Sequence, residues 1–180
     1  MEFNADAAKA ALAASKYAND LPEIVLNTSG LGTQGRADVD ALVATWKQVL
    51  GVDVTVNFLD PSTFTASAHD DPKHITLYGW CADFPDPQNF LEVLYHTDSD
   101  FNVSGYSNSQ IDSLLEKAAV ELDPAKRITL YNQAEKALLE DFATAPIEHG
   151  VNDVLVRSRL EGFVLAPLHA SFIPWLSFKK

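Results

Sequence analysis

The sequence predicts an α/β fold, with a mostly parallel sheet flanked by helices. Three observations carry that expectation. Short β-prone runs alternate with runs of apolar residues at helical spacing through the first half of the chain, the pattern of βαβ units. A strand-like run from His74 to Tyr78 opens into a Pro-rich loop and then a helical pattern, placing that loop at the carboxyl end of a strand. The chain has 180 residues, 47% hydrophobic and 21% charged, which is enough for one domain with a full core over residues 1–180.

The elements follow in order. Residues 5–18 are Ala-rich and helical in composition, closed by Leu21-Pro22. Glu23 to Ser29 carries Ile24, Val25 and Leu26 and predicts a buried strand, followed by a Gly-rich turn from Gly30 to Gly35. Val39, Leu42, Val43, Trp46, Val49 and Leu50 recur at helical spacing, with Gly51 as the stop. Val52, Val54, Val56 and Phe58 alternate with polar residues, as in a half-buried strand. Asp60-Pro61 begins a short helix or turn, and a third strand runs over about 74–80.

Two helices dominate the second half. Ser109 to Asp112 has the form of a capping box ahead of Ile111, Leu114, Leu115 and Ala118. Asp123-Pro124 supplies an N-cap and a first-turn proline, and Ile128, Tyr131, Ala134, Leu138 and Phe142 fall on one face. Ala145–Glu148 and Val154–Arg157 are β-prone runs, and 160–180 is an aromatic, Pro-interrupted tail.

Composition excludes several function classes. A net charge of −12 opposes a nucleic-acid partner, because phosphate binding requires clustered Lys and Arg. No apolar run approaches the length of a membrane span. The scattered histidines form no metal spacing, and His96–Asp100 has the look of a solvated turn more than a cation loop. P-loop, GxGxxG and GxSxG signatures are absent, so no cofactor and no catalytic centre is expected.

The chemistry concentrates in Gly79–Leu91. Asp83, between Ala82 and Phe84, fits two roles equally on the residues alone. It is a carboxylate for a ligand ammonium in an aromatic-lined cleft, or a turn-stabilising Asp bonded to nearby amides. Asp86-Pro87 has the form of an N-cap and first helical residue ahead of Phe90, Leu91 and Leu94. Trp80 either stacks on a ligand or fills core, and its place at a strand end favours the cleft; Tyr78 and Phe84 are weaker versions of the same idea. Cys81 has no cysteine to pair with in this chain and fits a small buried hydrophobe better than a thiol with an outside partner. Two rivals to a binding role are a hydrolase using Asp83 and Asp86, and an interaction module docking through Phe172, Trp175 and Phe178.

The Gly79–Asp83 run, followed by Pro85-Asp86-Pro87 and Asn89-Phe90-Leu91, resembles the signature of family 5 extracellular solute-binding proteins, the oligopeptide and dipeptide receptors of ABC importers. Val49–Val54, Ser104–Asn108 with Asp112, Arg127 through Tyr131 to Glu135, Ala145-Pro146-Ile147 and Glu161-Gly162-Phe163 are similar to further segments of that family, in order. The resemblance implies a type II periplasmic-binding-protein-like lobe, the C-terminal one of two, with 160–180 returning toward a missing N-terminal lobe. It implies a peptide or related small solute as ligand, ABC permease subunits as partners, and a periplasmic or extracellular location, a lipid anchor on the full-length protein being one form of it.

The ligand-binding residues implied are Asp83, which matches the carboxylate pairing a peptide ammonium, and Trp80, which matches a pocket-lining Trp, with Cys81, Tyr78 and Phe84 beside them. The Cys matching Cys81 forms a disulfide, in oligopeptide-binding relatives, with a residue outside the span of this chain. Leu77 departs from the pattern: some oligopeptide binders carry a basic residue there that contacts the peptide carboxylate, and Leu77 makes no such contact.

Overall fold

The computed structural model describes residues 3–29, 35–71, 73–151, 153–164 and 175–179. These group into two compact units, Met1–Gly79 with Thr97–Ser107, and Trp80–His96 with Asn108–Lys180. The Gly-rich turn after Ser29 lies largely outside the described residues, as does Phe172 of the tail.

The first unit is built on three parallel strands, β1 (Ile24–Ser29), β2 (Val54–Leu59) and β3 (Ile75–Leu77), in the order β2-β1-β3. Ile24 pairs with Val54, and Leu26 with both Val56 and Ile75. Parallel neighbours need crossovers, and the chain supplies α2 (Ala37–Leu50) before β2 and α3 (Phe64–Asp70) before β3. Having added β2 on one side of β1, the chain returns to the other side for β3. Open α/β sheets place ligands at the carboxyl ends of strands flanking such a reversal. The loop holding the candidate residues leaves from the end of β3.

The central strand explains its own burial. Leu26, Asn27 and Thr28 are all buried, and Asn27 is satisfied by the Asn57 amide at 2.9 Å. Val39 and Val52 are buried in the same unit, as are Phe64, Ala68 and Val103, against which Leu59 and Tyr78 pack. Gly51 closes α2 in the left-handed conformation (φ 72°), as its position predicted.

The first helix, α1 (Ala5–Ala14), is shorter than the 5–18 expected from composition. Asn4 caps its start, and at its end the Ser15 hydroxyl donates to the Leu12 carbonyl at 2.8 Å. That local bond gives the backbone an alternative to another helical turn.

The second unit is helical: α4 (Gln88–Tyr95), α5 (Ser109–Val120) and α6 (Pro124–Glu140). Ile111, Leu115 and Ala118 on α5 and Tyr131, Ala134 and Leu138 on α6 form buried stripes at helical spacing. Burying each large apolar side chain contributes about 1.5–3 kcal/mol. Asp123 caps α6 through the amides of Ala125 and Lys126, as expected.

Three sequence expectations in this unit are corrected. The cap of α5 is Asn108, which accepts from Gln110 and Ile111; Ser109 is already helical, so the capping box from Ser109 to Asp112 is displaced by one residue. Phe142 lies beyond α6 with φ 55° and is 83% exposed, because the helix ends at Glu140 before it can join the stripe; Ile128 is exposed as well. Ala145–Glu148 and Val154–Arg157 form no strands among the described residues: they are almost wholly exposed, and a strand needs a neighbour to satisfy its ladder. The tail instead contributes β4 (Leu160–Glu161) and β5 (Ser177–Phe178), an antiparallel pair.

Candidate functional site

The loop Trp80–Pro87 is organised by one buried side chain, Asn89, in the first turn of α4. Its side-chain oxygen accepts from the Trp80 indole N–H at 3.0 Å and from the Asp83 backbone N–H at 2.9 Å. Its amide nitrogen faces the Asp83 carboxylate at 3.5 Å. Trp80 is half-buried and Asp83 is exposed. The carboxylate is thus aligned by a buried amide while its outer face stays open, a geometry suited to a charge-assisted bond with a cation.

Asp86 has a different fate. One carboxylate oxygen accepts from the Gln88 amide at 2.9 Å; the N-cap position of α4 is Pro87, already helical (φ −57°), so Asp86 stands one residue ahead of the cap expected of it and still holds the first helical amide. The same carboxylate takes two bonds from Arg127 of α6, at 3.0 and 3.1 Å. The Arg127 guanidinium and the Gln88 amide hold the Asp86 carboxyl below the usual carboxylate range. An ionised carboxylate has no proton to donate, and three bonds from Arg127 and the Gln88 amide weaken it as a base. This overturns the reading of Asp83 and Asp86 as a hydrolytic pair.

Arg127 reaches further. It donates to the carbonyls of Ala118 and, at 3.0 Å, Ala119 at the end of α5. It also lies over the Tyr131 ring, 5.1 Å from its centroid. One guanidinium therefore joins the start of α4, the end of α5 and the body of α6, fixing the helices behind the loop. The sequence marked Asn89 and Arg127 only as members of a resembling motif. Their roles depend on contacts across 9 and 41 positions, which no periodicity reports.

The remaining expected residues are placed as follows. Phe84 is 41% exposed and lines, with Ala82, Phe90 and Leu91, a shallow hollow of about 410 Å³. Cys81 is a free, exposed thiol, which corrects the reading of it as a buried hydrophobe. Tyr78 belongs to the first unit, half-buried and stacked on Phe64 with ring centroids 5.7 Å apart. Among the described residues no group of His, Cys, Asp and Glu side chains is arranged to hold a metal ion, and no helix is long and apolar enough to cross a membrane.

Comparison with known proteins decides the family. Residues 1–102, more than half of the chain, match the family described as bacterial extracellular solute-binding proteins, family 5 middle. The chain belongs to this family. Among its family 5 relatives, the periplasmic oligopeptide-binding protein OppA of Escherichia coli is 31% identical over 159 residues, 87% of this chain and 28% of OppA. The periplasmic murein peptide-binding protein MppA of the same organism is 32% identical over 165 residues, 90% of this chain and 30% of MppA.

The solved structure of E. coli MppA superposes with a TM-score of 0.83 at 27% identity, covering 98% of this chain and 35% of that one. That of OppA from Burkholderia pseudomallei gives 0.81 at 26%, with the same coverage. These neighbours carry the type II periplasmic-binding fold, and family 5 proteins are binding components of transporters, not enzymes. The chain spans about three-tenths of the length of the curated relatives it matches.

Proposed function

We propose that this chain is one ligand-binding lobe of a periplasmic or extracellular receptor that delivers peptides to the permease subunits of an ABC importer. In this reading the chain is the C-terminal of two lobes; most of the tail expected to return toward the other lobe lies outside the described residues. Asp83 receives the peptide α-ammonium, and Trp80 and Phe84 offer apolar surface to side chains. Cys81, an exposed thiol, is accessible to a cysteine elsewhere in the receptor.

The observation that carries this reading is the exposed Asp83 carboxylate, aligned by a buried amide in a loop leaving the carboxyl end of β3. Relatives named as oligopeptide-binding, matched across most of the chain, supply the ligand class. Closure of a second lobe excludes water, and the ammonium–carboxylate pair strengthens as the local dielectric falls.

Isothermal calorimetry on the full-length receptor tests this, with trialanine as the probe. Asp83→Ala costs about 2–5 kcal/mol of affinity if the pair is buried on closure. Unchanged affinity in that variant refutes the role given to Asp83.

A further inference from the structure

We infer that Asn89 is the positioning residue of this site, coupling Trp80 and Asp83 into one rigid ligand-facing unit. The inference rests on the reading of Asp83 as the ammonium partner and adds what holds it in place. Asn89 is 3% exposed, and its single side-chain oxygen collects two donors, one from the start of the loop and one from its middle: the Trp80 indole and the Asp83 main chain. Both donors would otherwise compete for water or for a ligand's carbonyls. With the oxygen occupied on both sides, the amide plane is fixed, and its nitrogen is directed at the Asp83 carboxylate.

The side chain is itself fixed from below, because Asn89 sits in a helix whose first amide, that of Gln88, bonds to Asp86, which Arg127 holds in turn. A carboxylate on an unbraced, exposed loop would lose conformational freedom on binding a cation. Here that ordering is built in before the ligand arrives. The Asn89 amide also stands beside a charge without neutralising it. A cationic residue in its place would cancel Asp83, and an aliphatic one would leave the two loop donors without this acceptor.

The test compares trialanine with N-acetyl-trialanine in the full-length receptor, for wild type, Asn89→Leu, Asp83→Asn and the double variant. A merely structural role for Asn89 weakens both ligands alike. A positioning role reduces the preference for the free amine by about tenfold or more in Asn89→Leu. It also predicts no further loss of preference when Asn89→Leu is added to Asp83→Asn.

If Asp83→Asn retains the preference, the ammonium reading fails. If Asp83→Asn loses it while a folded Asn89→Leu keeps it, the positioning inference alone fails. Ligand-free wild-type receptor provides a check independent of any variant's folding: NMR couplings across the hydrogen bonds from Trp80 Nε1 and Asp83 N to the Asn89 side-chain carbonyl. Their presence supports the inference, and their absence overturns it.

Discussion

Replacing Arg127 with alanine removes more than an ion pair. The guanidinium makes two bonds to Asp86, reaches two carbonyls at the end of α5 and covers the Tyr131 ring. Breaking a fully buried pair by removing one partner costs about 3–5 kcal/mol, and exposed pairs contribute about 0–1. The side chains here are 18% and 31% exposed, between those limits. Asp86 also keeps its bond from the Gln88 amide after the change.

The expected loss is therefore about 2–3 kcal/mol. With a urea m-value of about 1–3 kcal/mol/M, the helical transition followed by circular dichroism moves down by roughly 0.7–3 M. Acid sharpens the test. The folded-state pKa of Asp86 lies below its ordinary value, chiefly through the Arg127 bonds. The pair's contribution is fully present above the unfolded-state pKa, near 4, and is lost as pH falls through the lower folded value. The gap between wild type and Arg127→Ala should narrow in acid to the part owed to the α5 carbonyls. A gap that stays constant from neutral pH into the acid range refutes this account. So does a loss no larger than that of the exposed control Lys126→Ala.

Other changes separate causes that look alike in sequence. Asn108→Ala removes the α5 cap and the 2.8 Å bond to Asp141, and should cost about 1–2 kcal/mol in chemical denaturation. Tyr131→Phe removes a buried hydroxyl that has no partner among the described residues, so thermal stability should hold or rise by about 1 kcal/mol. Gly51→Ala meets nothing within 4 Å and should cost only the left-handed strain, about 1–2 kcal/mol by urea titration. Gly162→Ala drives a Cβ into the Trp175 carbonyl and should break the β4–β5 pair. Hydrogen exchange at the Lys179 amide, which bonds to the Arg159 carbonyl at 2.8 Å, reports that loss locally.

How much of this was legible in the sequence depended on the range of the interactions. Alternation along Val54–Phe58 and the apolar stripe of Ile111, Leu115 and Ala118 are local signals, and they became strand and helix as the pattern required. The strand order was not legible, because nothing in β1 alone says that it is central. Its buried Asn27 and Thr28 do so only once Asn57 is seen across the ladder. The helix caps fell in between. Asp123 was recognisable from the proline behind it, while Asn108 was masked by a serine that also makes a plausible cap. At the site, Trp80 and Asp83 stood out by residue type. Asn89, which organises them, did not, because an Asn in a first helical turn has no periodic signature.

Asp83 and Asp86 show why the site could not be divided by composition. Both are aspartates in one Pro-rich loop, and either could have been the cap, the ion-pair partner or the ligand contact. The division follows from which one Arg127 reaches. Asp86, held by a cation and a helix-start amide, has spent its charge on joining three helices. Among the described residues Asp83 faces the neutral amide of Asn89, which orients its charge without neutralising it. On the proposed reading, the receptor uses both kinds of carboxylate: one that fixes the scaffold, and one that the scaffold orients for a ligand's charge.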